Sequence, residues 1–522
     1  MSTAGRDILI GIDAGTSVIK SVAFTLGGEQ IAMASVPNRY TTRADGAAFQ
    51  SQEDTWADCT QTLRDLAEKL PDLARRTAAV AVTGQGDGTW LVGAENRPVT
   101  DGWLWLDARS AATAKRLRRK DNRARFESTG TGLNACQMGV QLAHMDETEP
   151  GLLDAAEVSL HCKDWLYLNL TGVRATDPSE ANFTFGSYAT RRYNDTVIDS
   201  LGLGHRRGLL PEIVDGAQQT HGLSDAAAAQ TGLLVGTPVS LGYVDVVCTG
   251  LGAGIYTKGA ATGCTIVGST GMHMRATPAT DVVLGAEPNG YVMVLPVPGM
   301  AAQIQTNMAS TLNIDWLLNL GADLIAEMGG QASHADMVAR IEGWLAQTSP
   351  ASLIYHPYIS EAGERGPFVN TDARASFNGL ASQHRFADLL RAVIEGIGYA
   401  ARDCYDAMGA VPDEVRLTGG AARSAGLRAI LSAMLGANVR TATREEAGAA
   451  GAAMTAAMAI GAFGSWDACV DAWVSPLLGP MEAPDAQLCA LYQTTFPAYQ
   501  GIRQAAAPVW ATLAAVQETK NA

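Results

Sequence analysis

A chain of 522 residues, 47% hydrophobic and 17% charged, is too apolar for disorder and too long for a single core. Its net charge of −15, without a long basic run, argues against nucleic acid or an anionic membrane as partner. Eight scattered cysteines with no C-x-x-C pair exclude a zinc ribbon, and no disulfide framework is expected at this length. The apolar runs Ile8 to Ile12 and Val18 to Phe24 predict two buried strands joined by Asp13-Ala14-Gly15-Thr16-Ser17. Such a turn aims backbone N–H groups at an anion. Gly15 permits close approach, Thr16 and Ser17 add hydroxyls, and Asp13 can hold a divalent metal. An ordinary turn stabilised by its aspartate is the alternative.

Gln30 to Val36 predicts a third strand. Ser51 to Leu70 predicts a helix, with Ser51 as N-cap and Trp56, Cys59, Leu63, Leu66 and Leu70 along one face. Thr77 to Thr83 reads as a buried strand ending at Gly84-Gln85-Gly86-Asp87-Gly88. Residues 104–236 mix helices and loops as insertions around this core. Glycine-rich Leu241 to Gly254 then crosses to a second half, with the domain change near residue 250.

The second half repeats the logic. Strands are expected near Ala261 to Val267 and Val415 to Leu417, helices near Phe386 to Met408 and Glu446 to Ala459. The alanine-rich tail after Pro497 predicts a closing helix. Thr265 to Met272 forms a second glycine-rich hairpin, with Gly268, Ser269, Thr270 and Gly271 at its tip. Gly419, Gly420 and Ala421, between a short apolar strand and a helix, offer bare backbone to adenine or ribose. Three such clusters in this order predict an α/β protein of two domains, 1–250 and 251–522, clasping ATP. No G-x-G-x-x-G turn opens a helix after the first strand and no Walker lysine motif occurs. Dinucleotide oxidoreductases and P-loop kinases are therefore excluded.

Three further stretches carry a family likeness. They are Ala375-Ser376-Phe377-Asn378-Gly379-Leu380 followed by Asp388 to Glu395, Tyr355 to Ser360 with Gly363-Glu364-Arg365, and Trp105-Leu106-Asp107-Ala108-Arg109. Together they resemble the FGGY carbohydrate kinases, over nearly the whole chain. The family's first signature fits poorly, since Gln141 and His144 stand where a lysine and a tryptophan are usual. The resemblance implies two actin-like (ribonuclease-H-like) domains with an interdomain catalytic cleft, ATP and Mg²⁺ as cofactors, and a small sugar or polyol as acceptor. Gly84 to Gly88, Phe183 and Asp245-Val246-Val247 look closer to erythritol and L-xylulose-type kinases than to glycerol kinases. That implies transfer of the ATP γ-phosphate to a primary hydroxyl, with erythritol the first candidate. L-xylulose, D-xylulose or another pentulose or pentitol comes next. A non-catalytic actin-fold sensor of ATP or sugar is the distant alternative.

Phosphoryl transfer to a hydroxyl needs a base, a metal and donors that hold the phosphates in line. Asp245 is the candidate base, because a carboxylate at the end of an apolar strand is costly to bury without a use. The resemblance points the same way, although Val246 takes the place of a usual amide; a helix-capping role is the alternative. Asp87, Trp105 and Asp107 are the candidate substrate contacts, carboxylates for hydroxyls and an aromatic face to exclude water. Asp107 with Arg109 reads equally as a structural ion pair, and Lys20 as a phosphate contact or a solvated strand lysine. Thr176 to Asn182 resembles the loop lining the sugar pocket. The start of the chain shows no signal segment, and no run of about 18 apolar residues occurs, so a cytoplasmic protein is expected. A homodimer is compatible with all of this.

Overall fold

The computed structural model describes residues 5–120, 122–259 and 261–521. Among these residues, two six-stranded sheets form the frame. The first contains β1 (Ile8–Ala14), β2 (Val18–Thr25), β3 (Gln30–Pro37), β4 (Thr77–Gly84), β5 (His221–Gly222) and β6 (Pro238–Leu241). Their order is β5-β6-β4-β1-β2-β3, with β1, β2 and β3 antiparallel and β4 parallel to both β1 and β6. β4 is buried along its whole length and β1 along nearly all of it, which explains their continuous apolar runs.

The second sheet contains β7 (Thr262–Val267), β8 (Gly271–Pro278), β9 (Tyr291–Val294), β10 (Met300–Asn307), β11 (Glu414–Thr418) and β12 (Asn438–Thr441). Its order is β9-β10-β8-β7-β11-β12. The segment β10-β8-β7-β11-β12 repeats β3-β2-β1-β4-β6 of the first sheet, antiparallel neighbours on one side and parallel ones on the other. This is the strand order of an actin-like core, present twice.

The helices that matter for the site are few. α1 (Gln52–Lys69) starts at Ser51, whose hydroxyl accepts the Asp54 N–H at 3.0 Å, and buries Cys59, Leu63 and Leu66 as its spacing predicts. α2 (Cys162–Thr171), α3 (Pro178–Phe185) and α4 (Asp245–Ala253) follow in the first half and at its end. α5 (Thr311–Glu327), α6 (Phe386–Ala407), α7 (Ala425–Leu435), α8 (Ala447–Ala459) and α9 (Ala486–Asn521) belong to the second. α8 packs on α4, β1 and β4, so it ties the two halves together. Glycine and alanine make that approach possible. A side chain at Gly451 would collide with the Cys248 carbonyl, one at Gly252 with that of Ala447, and one at Gly11 with that of Ala449.

The tail differs from expectation. α9 begins at Ala486 and carries both Pro497 and Pro508 inside it, whereas the sequence suggested a helix only beyond Pro497. Proline interrupts helical hydrogen bonding, which is why the upstream turns were hidden. Here tertiary packing overrides it: Tyr492 and Tyr499 are fully buried, and Tyr492, Phe496 and Tyr499 all pack on Tyr399 of α6.

Candidate active site

The site forms where parallel strands end. Asp13 pairs in register with Thr83, and Ala14 with Gly84, so β1 and β4 release their chains side by side. The Gln85 N–H donates to the Ala14 carbonyl at 3.0 Å, carrying Gly86 and Asp87 along the first hairpin. On the other side of β4, the Gly242 N–H donates to the Val82 carbonyl at 2.9 Å, and the Thr83 hydroxyl donates to the Tyr243 carbonyl at 2.6 Å. The chain leaving β6 therefore turns over the same edge and delivers Asp245. Ligands in open α/β sheets bind outside such carboxyl ends.

Asp245 is the first residue of α4, not the end of a strand. Its Oδ1 accepts the Val246 N–H at 2.7 Å, and the Gly86 backbone also stabilises its charge. Burial, with repulsion from Asp13 and Asp87, nevertheless pushes its pKa up to about 7. Asp13 and Asp87 are each raised by burial to about 6. All three are only partly shielded from solvent, and Asp245 feels the charge of both of the others. His161 and, from the second half, Arg365 act on Asp87 electrostatically.

The first hairpin tip is tight. The Gly15 N–H donates to the Val18 carbonyl at 3.1 Å, while Asn38 pins the turn by donating its amide to the Gly15 carbonyl at 2.8 Å and its backbone N–H to the Ser17 carbonyl. Thr16 is less free than its sequence position suggests. Its hydroxyl donates to Gln85 Oε1 at 3.0 Å and accepts the Trp105 indole N–H at 2.9 Å. Trp105 is 40% exposed and so stands over the hairpin as an aromatic wall. Ser17 is exposed at the tip.

The second hairpin carries Gly268, Ser269 and Thr270 between β7 and β8, with Gly271 opening β8. The start of α5 holds it: the Ser310 N–H donates to the Ser269 carbonyl at 2.8 Å and that of Thr311 to the Gly268 carbonyl at 3.0 Å. Gly419, with φ of +95°, lies against the end of β7, where a Cβ would fall 2.5 Å from the Val267 carbonyl oxygen. Gly420 and Ala421 follow in one turn of 3-10 helix, and Gly420 faces open space. The second and third glycine clusters are thus neighbours across β7 and β11.

Asp107 is a correction. It is 1% exposed, and its carboxylate accepts the Ala48 N–H at 2.9 Å, the Arg109 N–H at 3.0 Å and the Arg109 guanidinium at 2.6 Å. Those bonds occupy both oxygens, so Asp107 braces the loop below Trp105 and is not placed to contact a substrate. The guanidinium of Arg109 also stacks over Trp103, 3.3 Å from the ring centroid.

Several contacts around these residues are not legible in the sequence. Lys20 pairs with Glu446 at 2.8 Å, joining β2 to the residue before α8, and Asp13 lies against Gly448 in the first turn of that helix. Cys136 donates its thiol to Asp87 Oδ2 at 3.2 Å, leaving Oδ1 buried without a partner. Behind Asp87 lies a buried charged group in which Lys163 bridges Asp164 at 2.5 Å and Asp177 at 2.7 Å. The Asp177-Pro178 start of α3 was the available signal, an N-cap carboxylate followed by proline at the first helical position.

Two family models match the chain, the N-terminal domain of the FGGY family of carbohydrate kinases over residues 8–252 and its C-terminal domain over residues 263–460. An erythritol kinase of Brucella abortus is 60% identical over 509 residues, covering 97% of this chain and 98% of that protein. A xylulose kinase of Escherichia coli is 27% identical over 509 residues, covering 96% of this chain and 100% of that one. The crystal structure of a xylulose kinase from Rhodospirillum rubrum superposes with a TM-score of 0.85 at 23% identity, over 97% of this chain and 100% of that one. That match bears on the fold alone, and it agrees with the twice-repeated sheet. The chain belongs to the FGGY family of carbohydrate kinases.

Proposed function

We propose that this kinase transfers the γ-phosphate of ATP to a primary hydroxyl of erythritol, with Asp245 as the base. Family membership implies ATP as donor. What supports the reading is that Asp245 feels both Asp13 and Asp87 at the strand ends, which in this reading line one crevice. The substrate rests on the 60% identity to a protein named erythritol kinase, against 27% to a xylulose kinase. In this reading residues 1–250 form the acceptor-side domain and residues 251–522 the nucleotide-side domain.

The geometry supports these roles. Asp245, raised to about 7, has a pKa suited to taking a proton from a hydroxyl near neutral pH. Asp87 offers Oδ1, without a protein partner, to an acceptor hydroxyl. Trp105 shields the crevice from water. Thr16, Ser17, Ser269 and Thr270 present backbone N–H groups to phosphates, Gly15, Gly268 and Gly271 let the phosphates come close, and Gly419, Gly420 and Ala421 seat the nucleoside. Asp13 fits a magnesium ion: the nearby Lys20 is committed to Glu446, which leaves the half-buried Asp13 carboxylate to a cation. Magnesium is commonly held by one or two carboxylates together with water and phosphate oxygens, a demand that Asp13 alone can meet on the protein's side. The ion would offset phosphate charge. Eight unpaired cysteines support a reducing, cytoplasmic setting.

The test is a coupled ADP-release assay across erythritol, threitol, pentitols, D- and L-xylulose, glycerol and gluconate. Erythritol should exceed every other acceptor in kcat/KM by about tenfold or more. A pentulose or glycerol at the top would overturn the substrate. No acceptor-dependent ADP release at all would favour the non-catalytic sensor.

A further inference from the structure

The floor of the acceptor side holds a carboxylate that the reaction as described does not use. Glu180 lies in the first turn of α3 and is fully buried. Next to it, Ser179 accepts the Val244 N–H at 3.2 Å, which fastens this turn to the residue before Asp245. Gly86 closes over the same spot. A Cβ there would collide with Val244 Cγ2 and fall 3.1 Å from Glu180 Oε1. Where other residues would put a side chain at position 86, this chain therefore has the carboxyl of Glu180.

That carboxyl is without hydrogen-bond partners at either oxygen. Its Oε2 is 3.3 Å from His161 Nε2 without forming a hydrogen bond, while His161 Nδ1 is engaged with Asp164 at 2.9 Å. Lys163 is occupied by Asp164 and Asp177. No hydrogen bond in the protein reaches Oε1, and Lys163 acts on the carboxyl only through its charge. Asp87 Oδ1, on the neighbouring residue to Gly86, is buried and unpartnered as well, and the two carboxyls act on each other electrostatically. Two orphaned buried acceptors on either flank of one glycine are costly unless a ligand rich in hydroxyls supplies the donors. Both stand beside Asp245 through Gly86 and Val244.

We propose that Glu180 is a specificity-determining residue of the acceptor site, taking one polyol hydroxyl at Oε1 while Asp87 takes another at Oδ1. The inference rests on the polyol-kinase reading and sharpens it. Selection among small polyols then depends on the angle between two hydroxyls, which differs between erythritol and its stereoisomer threitol. Burial favours the protonated form of Glu180, so the same carboxyl can also donate to the ligand.

The experiment compares wild type, Glu180→Gln and Glu180→Ala with erythritol, threitol and ATP as varied substrates, alongside thermal melts. Glu180→Ala should raise the erythritol KM and lower kcat/KM by about tenfold to a hundredfold, with the ATP KM within about twofold. Glu180→Gln, which keeps the shape, should fold even if the alanine variant does not, and should shift the erythritol-to-threitol ratio of kcat/KM by at least about threefold. An unchanged ratio and unchanged erythritol KM in a folded variant would overturn the inference. So would a parallel rise of both KM values, the mark of a merely structural carboxyl. If wild type turned over neither tetritol, the polyol reading itself would fall, and this inference with it.

Discussion

Asp245→Asn is expected to lower kcat by about two to four orders of magnitude while leaving the fold and ATP binding in place. Asparagine keeps the shape of the side chain and its oxygen toward the Val246 N–H. It loses the charge and the capacity to accept a proton. A base acts unprotonated, so with this carboxyl raised to about 7, kcat/KM for the polyol should climb with pH and level off above about 7. The same shift has a stability consequence of definite sign. Its ordinary pKa is 3.8, so between 3.8 and about 7 the folded protein holds the proton more tightly than the unfolded chain. Stability is therefore lost as pH rises through that window, and the cost is complete above it. The asparagine variant should melt higher than wild type at pH 8, with the advantage gone below pH 3.8. Turnover within about threefold of wild type would remove Asp245 from the chemistry.

Gly420→Val should raise the KM for ATP by about tenfold or more and leave the acceptor KM nearly unchanged. Two adjacent glycines behave differently here. At Gly419 the φ is positive and a Cβ would stand 2.5 Å from the Val267 carbonyl oxygen, so substitution there would damage the fold. At Gly420 nothing lies within 4 Å of where a Cβ would stand. A valine is tolerated by the protein and penalised only by whatever fills the space beyond β11. Calorimetry on the folded variant separates the outcomes. Unchanged ATP affinity, or equal loss for both substrates, would show that the nucleoside lies elsewhere.

The glycine hairpins and their strands were legible in the sequence because they are local: an apolar run, a turn whose residues permit tight backbone, another apolar run. β1, β2, β4, α1 and α6 fall within a residue or two of expectation for that reason. Asp107 was not legible. The spacing Trp105-x-Asp107-x-Arg109 is the same whether the aspartate faces a pocket or a guanidinium, and the deciding partner, the Ala48 N–H, lies 59 residues away. Glu180 was hidden similarly, since its lack of hydrogen bonds beside His161 and Lys163 is a matter of tertiary angles rather than spacing. Lys20 could be read two ways until Glu446, 426 residues later, supplied its partner. Helix α5 went unread although Ile314, Leu317 and Leu318 form its buried face, because Leu312, Leu320 and Leu324 on the exposed side blur the period.

The most direct measurement is phosphorus NMR of the product made from ATP and erythritol by the wild-type protein. The expected result is ADP and an erythritol phosphate in equal amounts, the phosphate coupled to the protons of a terminal carbon and the signal abolished by Asp245→Asn. Inorganic phosphate without organic phosphate, or a phosphate on a secondary carbon, would contradict a base in this crevice directing ATP to a primary hydroxyl.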